Sequence, residues 1–308
     1  MTVHLFALSP DSQFLHASDR WLTDSRSKRR MDDLANKVVA VLADDALFTI
    51  GSTGHAYIGE TPIDVAIVEA ILGTDVWDKA SFVGRPPNPD PRYMSLGKIR
   101  KRITEHLTSR TARIPGWFVQ LGISGFHRRR QLSIPFMWDL QITHGNASLR
   151  ELSTEKVRYS NRTSTWTIGS GRYFFQNEFQ RLLREPNVLI NDAAVLAGRY
   201  TASQEPTVGP DVMLVEGVIR GDSAGLRVQY RPAIEGLSVQ VYGSLIPEMY
   251  TPWIVTPNGS TSPSVVVGQT QSVGGLQVEV LPPPGAPPID GDVALIVAPI
   301  PRPGSRGR

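Results

Sequence analysis

Residues 1–20 read MTVHLFALSPDSQFLHASDR, and the choice of fold turns on this stretch. Two apolar runs, residues 3–8 and 13–18, flank Ser9-Pro10-Asp11-Ser12, whose residue types favour a tight turn. The pattern predicts a β-hairpin. Thr2 stands at its start. A small residue in second place lets Met1 be removed, which exposes a threonine hydroxyl beside its own free α-amine. Such an amine has a reference pKa of about 7.7–8.0, so near neutral pH it can take the hydroxyl proton itself. Alone, Thr2 is also an ordinary second residue; the signals that follow it give it meaning.

Outward from the hairpin, residues 38–42 and 46–50 predict a second one around Asp44-Asp45, closed by Gly51-Ser52-Thr53-Gly54. Ile63, Ile67, Val68 and Ile71 share a helical face over residues 62–72, with Pro62 suited to the first turn and Gly73 to the end. A proline-dense loop spans 84–92. Leu96, Ile99, Ile103 and Leu107 mark a second helix over 96–107. Its other face carries Lys98, Arg100, Lys101 and Arg102, either solvated or set against an anionic partner. Strands are expected over 117–123, ending at Ser124-Gly125, then over 132–142 and 164–168, the last running into Gly169-Ser170-Gly171. Helices over 173–184 and 191–202, separated by Pro186, precede a strand over 212–219. Strands and helices come in blocks, which indicates an α+β protein with sheets packed on helix layers.

Composition narrows the function. The chain has 308 residues, 41% hydrophobic, with a net charge of +3, so no global charge excess points to nucleic acid. It has no cysteine, which excludes thiol nucleophiles, disulfides and thiolate metal sites and fits a reducing compartment. The start lacks a secretory pattern and no apolar run reaches membrane length, so a cytoplasmic location without membrane contact is expected. His4, His16, His55, His106, His127 and His144 show no paired helical metal spacing, and no metal or cofactor is expected. No Gly-Lys-Ser/Thr phosphate loop and no Gly-x-Ser-x-Gly elbow occurs.

After residue 220 helical spacing gives way to short β-rich runs at 226–230, 237–242, 253–255, 264–267, 276–280 and 293–298. Three segments are therefore expected: a domain over 1–220, a small all-β sandwich or barrel over 221–300, and a disordered tail over 301–308.

Five features of the first 220 residues, in order, carry a resemblance. They are Thr2; Asp19-Arg20 after Ala17-Ser18; Lys37 between Asn36 and Val38; the Gly51–Gly54 turn; and Gly169-Ser170-Gly171 ahead of Tyr173-Phe174. Together they resemble the proteasome β-subunit family of N-terminal-nucleophile hydrolases. The resemblance implies a four-layer αββα sandwich, here with an appended small all-β C-terminal module, and acyl transfer at an amide carbonyl. It implies Thr2 as nucleophile, Lys37 as the cation that keeps the α-amine neutral, Asp19 as the lysine's anchor and the Gly54 backbone as oxyanion donor. Ser170 would help orient the amine, or would serve only the turn. Arg20 would buttress its loop.

The family's acidic residue and Ser-Gly-Gly turn correspond here to Gln204-Glu205-Pro206-Thr207-Val208-Gly209-Pro210, which lacks the serine. The resemblance further implies a homo-oligomer, a dimer or ring, and a peptide or other amide substrate; an ATP-driven unfoldase partner stays open. Two alternatives also stay open: a silent scaffold whose C-terminal β module binds a partner, and a small-molecule amidase of the same fold.

Overall fold

The computed structural model describes residues 2–23, 29–32, 35–73, 90, 92, 94–129, 132–159, 162–220, 223–234, 238–241, 244–247, 250–261, 263 and 270–284. The expected strands at 264–267 and 293–298, and the tail at 301–308, lie outside these residues.

The chain opens with β1 (Val3–Ser9) and β2 (Gln13–Asp19), the short β3 (Leu22–Thr23) and β4 (Arg30–Asp32), then β5 (Val38–Leu42) and β6 (Ala46–Gly54). The two-residue β7 (Tyr57–Ile58) and β8 (Thr61–Pro62) lead into helices α1 (Ile63–Leu72) and α2 (Leu96–Thr111). Next come β9 (Phe118–Arg129), β10 (Leu132–Thr143), β11 (Asn146–Glu151), the short α3 (Glu155–Tyr159) and β12 (Ser164–Gly169). Helices α4 (Arg172–Leu182) and α5 (Ile190–Gln204) precede β13 (Val212–Arg220) and β14 (Ser223–Arg231). Six further strands follow: β15 (Ser238–Val241), β16 (Ser244–Pro247), β17 (Trp253–Thr256), β18 (Gly259–Thr261), β19 (Thr270–Val273) and β20 (Leu276–Leu281).

Two seven-stranded sheets result. The first has the order β12-β1-β2-β13-β14-β20-β19, the second β11-β10-β9-β6-β5-β17-β18. Alternation along β1 shows how they stack. Val3, Leu5 and Ala7 point outward and pack with Phe175, Phe179 and Ala194 of α4 and α5. Phe6 and Leu8 point inward and meet Val38, Leu47 and Phe126 of the second sheet. On the far side Val41, Phe48 and Ile50 pack under Ile67 of α1 and Ile99 and Ile103 of α2. The protein is an αββα sandwich with three apolar interiors, one between each pair of layers.

Helix α1 is buried on every side, not on one stripe. Among the described residues no helix is long and apolar enough to cross a membrane.

Strand β9 runs straight through Ser124-Gly125, where the sequence predicts a break. A Cβ at Gly125 would sit 2.2 Å from the Leu47 carbonyl oxygen, so this glycine lets two strands approach and does not end one. Strand β11 and helix α3 have no counterpart in the sequence reading; β11 is exposed along its whole length and lacks an alternating pattern.

The stretch after residue 220 is β-rich, and its described strands continue both sheets. β14 pairs with β13 in a hairpin, β20 adds parallel to β14, and β17 adds parallel to β5. The 220/221 division thus falls inside a hairpin. Tyr250, Ile254, Val278 and Val280 share the inter-sheet interior with Phe6 and Leu8.

Candidate active site

Pairing within the first sheet brings the ends of two strands together. His4 lies opposite Ser18 on β2, so Asp19 arrives beside Thr2 and Val3. Its Oδ1 accepts hydrogen bonds from Thr2 Oγ1 at 2.5 Å and from the Val3 N–H at 2.9 Å. Its Oδ2 accepts from the Trp21 N–H, the Gly209 N–H and Lys37 Nζ, each at 3.1 Å. All five neighbours are donors, which suits an ionised carboxylate. Lys37, just ahead of β5, also donates to the Trp21 carbonyl. Thr2, Asp19 and Lys37 are 4%, 2% and 7% exposed. Asp19 therefore bridges the other two, with the hydroxyl on one oxygen and the ammonium on the other.

Of the remaining expected residues, Ser170 touches Thr2 directly. The Ser170 N–H donates to the Thr2 carbonyl at 2.9 Å, so Ser170 meets Thr2 through its backbone. Gly169, at φ 92°, makes that approach possible: a Cβ there would lie 1.8 Å from the same oxygen. Thr53 Oγ1 donates to it at 3.5 Å, which sets the end of β6 against Thr2. Gly54 is the next residue, exposed, at φ 109°; a side chain there would collide with the Phe118 carbonyl. The described hydrogen bonds of His55 are all to Phe118. Glu205 folds onto its own turn, accepting from the Thr207 N–H and hydroxyl. Gly209, not Glu205, carries that turn to the site, through its bond to Asp19.

A second polar cluster lies deeper. His4 shares the inward face of β1 with Thr2 and Phe6. Its Nε2 is 2.9 Å from the Ser52 carbonyl on the opposite sheet, and its Nδ1 is 2.9 Å from His16 Nε2. A carbonyl only accepts, so His4 carries its hydrogen on Nε2. Its Nδ1 then accepts from His16 Nε2–H, and His16 Nδ1 is left as a buried acceptor without a hydrogen-bond partner. Both rings are fully buried, with Phe6 4.3 Å from His16 between centroids. Burial pushes the His4 pKa down to about 4, with Lys37 adding to the effect, against opposing contributions from the Ser52 bond and Asp19. Burial, then His4, holds His16 well below its ordinary value. A Cβ at Gly51 would meet His4 Nδ1 at 2.6 Å, so glycine leaves the space this pair occupies.

Chemically, the site offers a hydroxyl aimed at a buried carboxylate, an ammonium on the same carboxylate, and hydrogen bonds that fix the Thr2 carbonyl and the Val3 amide. No family model matches the sequence, and no curated protein matches it. Among solved structures the chain is similar to eukaryotic HslV from Trypanosoma brucei, at 14% identity over 70% of this chain and 98% of that one, with a TM-score of 0.41. It is similar to Anbu, an ancestral β-subunit, from Yersinia bercovieri, at 12% identity over 69% and 81% of the two chains, TM-score 0.45. A Gly-1 mutant of Anbu from Hyphomicrobium sp. strain MC1 matches at 14% identity over 70% and 80%, TM-score 0.43.

Proposed function

We propose that the chain, once Met1 is removed, is a threonine-type N-terminal-nucleophile hydrolase that cleaves peptide or other amide bonds. One observation carries this reading: the buried Asp19 carboxylate binds the Thr2 hydroxyl and the Lys37 ammonium at the same time. Thr2 Oγ adds to the amide carbonyl, and its proton passes to the α-amine. The tetrahedral oxyanion collapses, the C–N bond breaks, and the amine leaves with that proton. Water then hydrolyses the threonine ester and frees the acid. The ammonium of Lys37 disfavours protonation of a nearby amine and so keeps the base ready. The backbone at Gly54 is the proposed oxyanion donor; a donor of this kind is worth about 2.7–4 kcal/mol of barrier. Ser170 and Thr53 hold the Thr2 carbonyl still.

The test is an N-terminal-threonine-directed epoxyketone followed by intact-mass analysis. Protein starting at Thr2 should gain one adduct, and Thr2→Ala should gain none. An unmodified mass in protein lacking Met1 sinks the proposal.

A silent scaffold is the second reading, favoured by the absence of the serine from the turn over residues 204–210. N-terminal sequencing of protein from its native host separates the two: a retained Met1 favours the scaffold. A small-molecule amidase would share the chemistry and differ in its pocket. We further place the protein in the cytoplasm as a homo-oligomer, a dimer or ring. Exposed Tyr173, Leu189 and Leu196 on the α4–α5 layer suit self-association.

A further inference from the structure

Residues far along the chain grip the neighbours of the ion pair. Arg20 follows Asp19 directly and is 1% exposed. Its guanidinium lies over the Tyr250 ring at 4.6 Å and the Tyr230 ring at 5.4 Å, and the two rings meet edge-on with centroids 5.0 Å apart. A cation desolvated between two aromatic faces is held more firmly than one in water. Tyr230 belongs to β14 and Tyr250 lies just ahead of β17.

Lys37 is approached in the same way. Asn36 precedes it, and Asn36 Nδ2 donates to Asp64 Oδ2 at 3.0 Å. The same oxygen accepts from Trp253 Nε1 at 3.0 Å. Trp253 opens β17, which lies parallel to β5 with Trp253 opposite Val39. Asp64 is buried at the start of α1, so withdrawing the indole N–H would cost it a donor that water cannot readily replace.

We propose, resting on the hydrolase reading above, that the strands beyond residue 220 are positioning parts of the active site. Tyr230 and Tyr250 fix Arg20 and with it Asp19; Trp253, through Asp64 and Asn36, fixes Lys37. The acid and the ammonium are thus aligned by one segment acting on the residue after the first and the residue before the second.

The test uses full-length protein starting at Thr2 with Tyr250→Leu, Tyr250→Phe, Trp253→Phe and, as a surface control on β14, Arg227→Gln. Two quantities are measured: the pH profile of epoxyketone labelling, and the titration of the Lys37 Nζ signal by NMR. Tyr250→Leu and Trp253→Phe should slow labelling by roughly ten- to a hundredfold, the order that a misplacement near 1 Å costs. They should also shift the Lys37 titration. Tyr250→Phe keeps the ring and should follow the parent protein, as should Arg227→Gln. Folded Tyr250→Leu and Trp253→Phe proteins with an unmoved Lys37 titration overturn the proposal. If Tyr250→Leu does not fold, Trp253→Phe decides alone, since it deletes one N–H and keeps an aromatic ring. A parent protein that never labels, with Lys37 still shifted in the variants, supports the positioning role and removes the hydrolase reading.

Discussion

Asp19 and the His4–His16 pair are buried on the same hairpin, a few residues apart, yet only the first cluster is built to hold charge. The Asp19 carboxylate has four donors and an ammonium on it. The histidines have each other, one carbonyl and an aromatic ring, and one of their nitrogens faces no donor. Burial is tolerated in both places for opposite reasons. Where every lone pair is met, an ion can stay an ion; where one is not, the neutral form is the only affordable state in a low-dielectric interior.

The contrast is broken most severely by removing the carboxylate. Asp19→Ala leaves Lys37 buried without its counter-charge and should cost about 3–5 kcal/mol in urea unfolding, with complete loss of epoxyketone labelling. An unfolding midpoint close to the parent's would mean that the ion pair is dispensable.

Acid attacks the other cluster. Burial pushes the His4 pKa down to about 4 in the folded state, below its ordinary value of 6.5, so between these values the unfolded chain binds more protons. Stability should therefore fall as pH drops from about 6.5 to about 4, by roughly 3 kcal/mol from His4, with His16 adding in the same direction. Urea titrations across this range check the sign. His16→Gln keeps a donor toward His4 and should flatten the decline; an equally steep decline in that variant would put the sensitivity elsewhere.

Gly51→Ala presses a methyl group into the same pair and should cost about 1–3 kcal/mol without changing the labelling of Thr2 by more than the loss of folded protein explains. The mildest change tests the contrast from outside. Arg227 and Glu279 form an ion pair in solvent, with side chains about half exposed. Arg227→Gln should cost at most about 1 kcal/mol, less at high salt, as expected where charges stay hydrated.

Much of the sandwich could be read from residue order. Ile63, Ile67 and Ile71, and then Ile99, Ile103 and Leu107, announce their helices by spacing alone, and the apolar run at residues 3–8, followed by its turn residues, announces the strand that follows Thr2. Asp19 and Lys37 were visible through the family resemblance, which sets one after the second apolar run and the other just before the third. Gly209 was not, because its bond to Asp19 spans 190 positions and leaves no local trace. Tyr230, Tyr250 and Trp253 were hidden for the same reason: their short β runs fit a separate module as well as an extension of two sheets. The histidine pair did leave a trace. His4 and His16 are diagonal neighbours in the first hairpin, with His4 opposite Ser18 and Phe6 opposite His16, but a search for helical metal spacing passes over partners on antiparallel strands. Gly125 misled in the other direction, since a glycine required by a close backbone crossing looks like a breaker in the sequence.

The carbonyl of Thr2 is held by the Ser170 N–H and the Thr53 hydroxyl, and the next amide is held by Asp19. Strand ends ordinarily fray, and a nucleophile placed on one would spend most of its time pointing elsewhere. Here that wandering is suppressed by the fold, so in the hydrolase we propose the entropy of orienting the attacking oxygen is lost on folding and not at each turnover.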